Sequence, residues 1–257
     1  MDIQLAFYPQ ALLLVIARVA SITCGTVVFG KDMAPLEVRV LLAFAIAMVI
    51  TPLAPEAWVS AAMAMNDLPR MAMGLFGEAL LGFSIALICE LFVGIFSMTG
   101  FVLGWASSLT MSQEIDPVSG VQNNVLGILM QLVFLMIIWS YNGHLILIEI
   151  VVKSLQTVPP TFAWLDGQVT EMMVVLGGLM FEWGIKLGAP VIAAAMILNA
   201  AMGLIAKMAP QFNILFLSLP IRLGTGMLMM GFFLRYGGGH FREIVMTMLE
   251  YCLKLVL

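Results

Sequence analysis

Six apolar runs of at least bilayer length dominate this sequence, at about Phe7 to Phe29, Val38 to Trp58, Met71 to Leu103, Val125 to Val152, Met172 to Ala206 and Ile214 to Tyr236. Inside hydrocarbon every backbone N–H and C=O needs a protein partner, and a run of this length meets that demand by forming a helix. With 62% apolar and only 10% charged residues, the chain falls far below the ~25% charge of a soluble domain. The expected fold class is an all-α membrane protein built as one domain, residues 1–257. The start, Met1-Asp2-Ile3-Gln4, has no basic stretch ahead of its apolar run, so the first segment is expected to stay in the mature protein.

Two of the runs exceed an ordinary span. Met71 to Leu103 has 33 residues and Met172 to Ala206 has 35. Each would reach roughly 50 Å as a helix, against a hydrocarbon core of ~30 Å. Each is therefore expected to kink, to break into a hairpin, or to project beyond the bilayer. Gly74, Gly77, Gly82, Gly94 and Gly100 are available breakers in the first and Pro190 in the second. The cations Lys31, Arg39, Arg70, Lys153 and Lys207 are spread too thinly to orient the segments by the positive-inside rule. A simple serpentine is not what this pattern describes. The last stretch, Phe241 to Leu257, sets Arg242, Glu243, Glu250 and Lys254 against Ile244, Met248, Leu249 and Leu253. It reads either as an interfacial helix or as the second arm of a final hairpin.

Between two apolar runs lies a polar interruption, Gly104 to Val121. It holds Ser107, Ser108, Thr110, Ser112, Gln113, Glu114 and Asp116, with Asp116-Pro117 and Gly120 as turn makers. An ordinary connecting loop and a functional element at a pore both fit this composition.

Charges inside apolar runs are functional candidates by default. Glu149/Lys153, Glu182/Lys186 and Glu250/Lys254 are spaced i,i+4 with Glu first, the order that pairs them on one helix face. Arg18, Glu78, Glu90 and Arg222 have no such neighbour and need partners from another segment or another chain. Gly100-x-x-x-Gly104 and Gly184-x-x-x-Gly188 place small residues on one face, for packing within the chain or between subunits. The 22 methionines fill irregular gaps or line a deformable constriction.

No catalytic or metal constellation emerges. His144 and His240 lack a second ligand at metal spacing, and Cys24, Cys89 and Cys252 sit singly in apolar surroundings. Phosphate-binding, HExxH and nucleophile-elbow patterns are not found. A net charge of -4 gives no footprint for nucleic acid. The expectation is a protein that is not an enzyme, with no cofactor and no nucleic-acid partner.

At Asp116-Pro117-Val118-Ser119-Gly120, Asn142-Gly143-His144 and Met208-Ala209-Pro210-Gln211-Phe212-Asn213, the chain resembles the FliR family of flagellar export proteins. The T-type export proteins of virulence injectisomes are relatives of that family. The order of Arg18, Glu78, a glycine-rich helix, these motifs, Ser154, Pro159, Gly203 and Pro220 agrees along essentially the whole chain. Ala106 and Ser108 stand where relatives often carry Gln and Gly, and Lys207 stands where Arg is usual.

The resemblance implies a core subunit of the type III export gate, the pore through which unfolded flagellar subunits leave the cell. One such subunit joins several copies of FliP and FliQ in a helical assembly of kinked hairpins, with FlhB and FlhA as further partners. Residues of about 1–185 would form a FliP-like part and 186–257 a FliQ-like hairpin. The assembly would sit in the bacterial inner membrane at the flagellar basal body, projecting to the periplasmic side. Ser107, Ser108, Thr110, Met111, Ser112, Gln113, Glu114, Asp116, Pro117 and Gly120 would form a pore plug. Arg18, Glu78, Asn142, His144, Glu182, Lys186, Lys207, Pro210, Gln211 and Asn213 would serve assembly or carry family motifs. The alternative within the resemblance is a T-type export-apparatus subunit of a virulence injectisome. Two other classes remain: a self-contained secondary transporter with breaks at Pro190 and Gly82, and an intramembrane enzyme using Glu78 or His144.

Overall fold

Proline marks where the early helices begin. α1 (Pro9–Gly25) opens on one, α2 (Leu36–Ile50) follows Pro35, α3 (Glu56–Met63) follows Pro55, and α4 (Leu68–Ala106) carries Pro69 in its first turn. At a helix start the missing proline N–H would have been unpaired anyway, so the residue is tolerated there and fixes φ for the first turn. The remaining helices are α5 (Val125–Ser140), α6 (Gly143–Thr157), α7 (Gly167–Met208), α8 (Ile214–Tyr236) and α9 (Gly238–Val256). The computed structural model describes residues 9–31, 33–65, 67–108, 125–160, 167–211 and 213–256, and no strand occurs among them. The fold is that of an all-α membrane protein.

Four helical segments among the described residues are long and apolar enough to cross a membrane: Leu36–Leu53, Leu68–Ala106, Val169–Met208 and Phe216–Tyr236. The sequence pattern predicts six runs of that length. α1 falls short with 17 residues. The run from Val125 to Val152 is split into α5 and α6, which bend by 68° and count as one span at most. The break lies at Asn142, whose φ of 56° is left-handed. Asparagine enters that region at low cost, and Gly143 follows it as the first residue of α6.

The two over-long runs stay whole. α4 has 39 residues and α7 has 42, with Pro190 inside the latter helix. At ~1.5 Å per residue each is roughly 60 Å long, so a part of each must lie beyond the ~30 Å hydrocarbon layer. Neither is broken into a hairpin. The glycines of α4 act as contact points: a Cβ at Gly82 would overlap the Arg18 carbonyl oxygen, and one at Gly100 would overlap the Gly127 Cα. The same absence of a side chain that weakens a helix allows a second backbone to touch it.

The chain divides into two packed units. The first comprises Met1–Phe92, Ile137–Gly177 and Ile244–Leu257. Its core is drawn from α1 (Leu14, Val15, Ile22), α4 (Leu81, Ile85, Ile88), α6 (Leu147, Ile150) and α9 (Val245, Met248, Cys252). α9 sends its apolar face inward here, and Thr157 Oγ1 donates to the Val256 carbonyl at 2.6 Å. The second unit comprises Val93–Met136 and Gly178–Glu243. Phe96 is its aromatic centre, 4.9 Å from Phe134 and 5.2 Å from Phe241 between ring centroids. Gly184 and Gly188 of α7 face Met98 and Val102 of α4, so this GxxxG face packs within the chain.

Candidate functional site

Arg18 is the largest fully buried side chain among the described residues. A buried guanidinium is tolerated only where its donors are met, because stripping a charge of water costs several kcal/mol. Here Nε and Nη2 donate to the two carboxylate oxygens of Glu78, the latter bond at 2.9 Å. Nη1 donates to Ser154 Oγ at 2.7 Å, and Ser154 Oγ donates onward to the Val151 carbonyl at 2.6 Å. The guanidinium carbon also lies 5.9 Å from the centre of the Trp58 ring. One fork-like cation thus joins α1, α3, α4 and α6 within the first unit. Glu78 and Gly82 are one turn apart on α4 and share a face. Gly82 brings the helix close enough for the carboxylate to reach Arg18.

Glu90, also without a cation at helical spacing, lies three turns further along α4. Its carboxylate accepts from the Val27 backbone N–H at 3.1 Å and pairs with Lys31 Nζ at 3.2 Å. Arg18, Glu78 and Glu90 therefore each have partners inside the chain. Their partners lie too far away in sequence for spacing to identify them.

The polar interruption begins at another cluster, in the second unit. Ser107 is buried and donates to the Gly104 carbonyl at 3.0 Å. It sits against Gly226 of α8, where an added Cβ would overlap the Ser107 Cβ. Ser108 has a left-handed φ of 59°. Its Oγ is 3.4 Å from Arg222 Nη1, and Arg222 Nη2 donates to Asn199 Oδ1 of α7 at 2.7 Å. Arg222 Nε is buried without a partner. Helices α7 and α8 thus hold the point at which the chain leaves α4. Sequence reasoning missed Asn199 and Gly226. For Asn199 the available signal was a lone amide in an apolar helix; Gly226 carries no mark that sets it apart from other helical glycines. Thr110, Met111, Ser112, Gln113, Glu114, Asp116, Pro117 and Gly120 lie outside the described residues.

The other expected residues are dispersed. Asn142 forms the α5–α6 break, and His144 stacks on Trp139 at 4.5 Å with Nδ1 buried and unpartnered. Glu182 and Lys186 pair on an exposed face of α7 at 2.5 Å, as their spacing predicts. Lys207 lies in the last turn of α7, where a cation complements the helix dipole. Pro210 and Gln211 form the turn that follows, and Asn213 caps α8 through its side-chain oxygen and the Phe216 N–H. Among the described residues no group of three His, Cys, Asp or Glu side chains is placed to hold a metal ion. The three cysteines are free thiols.

Residues 10–248 match the profile of the family described as "Bacterial export proteins, family 1". The flagellar biosynthetic protein FliR of Escherichia coli (strain K12) is 27% identical over 217 residues, covering 83% of this chain and 80% of that protein. FliR of Caulobacter vibrioides is 24% identical over 226 residues, covering 86% and 87%. The surface presentation of antigens protein SpaR of Shigella sonnei is 24% identical over 148 residues, covering 58% of this chain and 57% of that protein.

Proposed function

The chain belongs to family 1 of the bacterial export proteins, and we propose that it shapes and stops the pore of a flagellar type III export gate. It is a membrane-embedded subunit of that export apparatus. The finer role assigned here is mechanical, with no bond made or broken by the chain itself. The segment from Ser107 to Gly120 acts as a stopper, and its partners are FliP-like and FliQ-like chains, with FlhB and FlhA alongside. Unfolded flagellar proteins are the cargo. Residues 1–185 and 186–257 correspond to FliP-like and FliQ-like parts, and the complex sits in the inner membrane, projecting toward the periplasm.

The observation that carries this reading is the seat of Ser107 and Ser108. A chain leaving a helix into ordinary solvent needs no such anchorage. Here Ser107 is pressed onto Gly226, Ser108 adopts a left-handed conformation, and Arg222 ties it to Asn199. A fixed base is what a stopper requires. The sequence beyond it, Thr110 to Asp116, supplies hydroxyl, amide and carboxylate groups suited to a hydrated passing chain.

Flagellar service is supported by relatives named flagellar biosynthetic protein FliR that match over 83% and 86% of this chain. Native mass measurement of the gently solubilised assembly tests the placement. One copy of this chain with several FliP-like and FliQ-like chains is the expected result. A lone monomer or a homodimer that transports on its own in liposomes would replace the reading with a secondary transporter.

A further inference from the structure

A cavity of about 580 Å³ opens in the second unit, between α7, the end of α8 and the start of α9. That volume lies within the ~300–1,000 Å³ typical of small-molecule sites. Its floor and walls are apolar: Phe233 is buried, and Leu187, Pro190 and Phe232 complete the surface. Its mouth carries charge. Lys186 of α7 and His240 and Glu243 of α9 are all exposed there, with the rings of Trp183 and Tyr236 beside them.

By length and composition the candidate span of α8 ends at Tyr236. Trp and Tyr concentrate where a span passes from acyl chain to headgroup, and Trp183 and Tyr236 line this mouth. Pro190 has no N–H to offer the Lys186 carbonyl, which leaves that oxygen without its helical donor.

We propose that this cavity binds a phospholipid with a phosphoethanolamine headgroup. The mouth carries a group for each charge of such a headgroup. The Lys186 ammonium has three donors, only one of which is used by the exposed pair with Glu182, and an imidazole N–H of His240 supplies another; these receive the phosphate. Glu243, with the faces of Tyr236 and Trp183, receives the primary ammonium. The glycerol backbone and the first part of an acyl chain lie along Leu187, Pro190, Phe232 and Phe233. A phosphoglycerol headgroup satisfies the cationic half of the mouth and leaves Glu243 facing it without a positive partner. Ethanolamine is therefore preferred over glycerol.

The test is native mass spectrometry of the detergent-solubilised full complex, exchanged into phosphatidylethanolamine, phosphatidylglycerol or an equimolar mixture. The wild type should retain phosphatidylethanolamine in preference. Glu243→Gln should abolish the preference while leaving phosphatidylglycerol retention unchanged, and Lys186→Gln should lower retention of both by about tenfold, the effect of one charge-assisted hydrogen bond. The same spectra report the composition of each variant complex, and retention is compared between complexes of wild-type composition. Equal retention of the two lipids by the wild type would overturn the proposal. So would wild-type retention in both variants, or a cavity filled by a partner subunit so that no lipid is held.

Discussion

Arg18 of α1 and Glu78 of α4, sixty residues apart, meet in a buried two-pronged ion pair that Ser154 of α6 completes. The pair holds three helices of the first unit at one point. Its geometry makes each partner dependent on the other, because either charge alone would be stranded away from water.

Arg18→Ala or Glu78→Ala should each destabilise the chain by ~3–5 kcal/mol, the usual cost of orphaning a buried charge. Arg18→Met combined with Glu78→Leu should cost less than either single change, since no charge is left behind. Thermal melting of the purified variants in detergent checks the order. A double variant less stable than both singles would mean that the pair contributes more than the removal of its own burial penalty.

The glycines give a contrast between filled and open faces. Gly82→Ala should destabilise by about 1–3 kcal/mol, because the added methyl meets the Arg18 backbone, which cannot swing aside as a side chain would. Gly203 of α7 has nothing within 4 Å of where its Cβ would stand. Gly203→Leu should leave the melting of the isolated chain unchanged and reduce its incorporation into the complex, where close helix approach requires small residues. Melting and co-purification of partners measure the two effects separately.

At the α5–α6 break, Asn142→Gly should be nearly neutral and Asn142→Val should cost ~1–2 kcal/mol. A branched side chain clashes with the following carbonyl in the left-handed conformation found there. Chemical denaturation in mixed micelles reads the difference. Equal stability of the two variants would place the bend under the control of packing alone.

How much of this was legible in the sequence follows from the range of each interaction. Most long helices were legible because apolar run length acts locally. So were the Glu182/Lys186 and Glu149/Lys153 pairs, found at 2.5 and 2.9 Å, since one turn of helix brings them together. The Arg18–Glu78 and Lys31–Glu90 pairs were not, because only packing decides which distant segment supplies the counter-charge. Glycine was ambiguous: Gly82 and Gly100 had the composition of breakers and serve as contact points. Asn142-Gly143 carried a turn signal that the apolar residues on both sides concealed. At the candidate site, Ser107 and Ser108 were expected, while the Arg222, Asn199 and Gly226 seat beneath them needed three helices in place.

The proposal that the polar segment after α4 stops the pore is tested most directly by ion flux through the assembled complex. The complex is reconstituted in liposomes with and without deletion of Gln113–Pro117. The deletion spares Ser107, Ser108 and their seat, so the complex should assemble with unchanged composition. A closed wild-type gate and a clear rise in flux in the deleted form are the predicted result. An assembled deletion variant as tight as the wild type would contradict it.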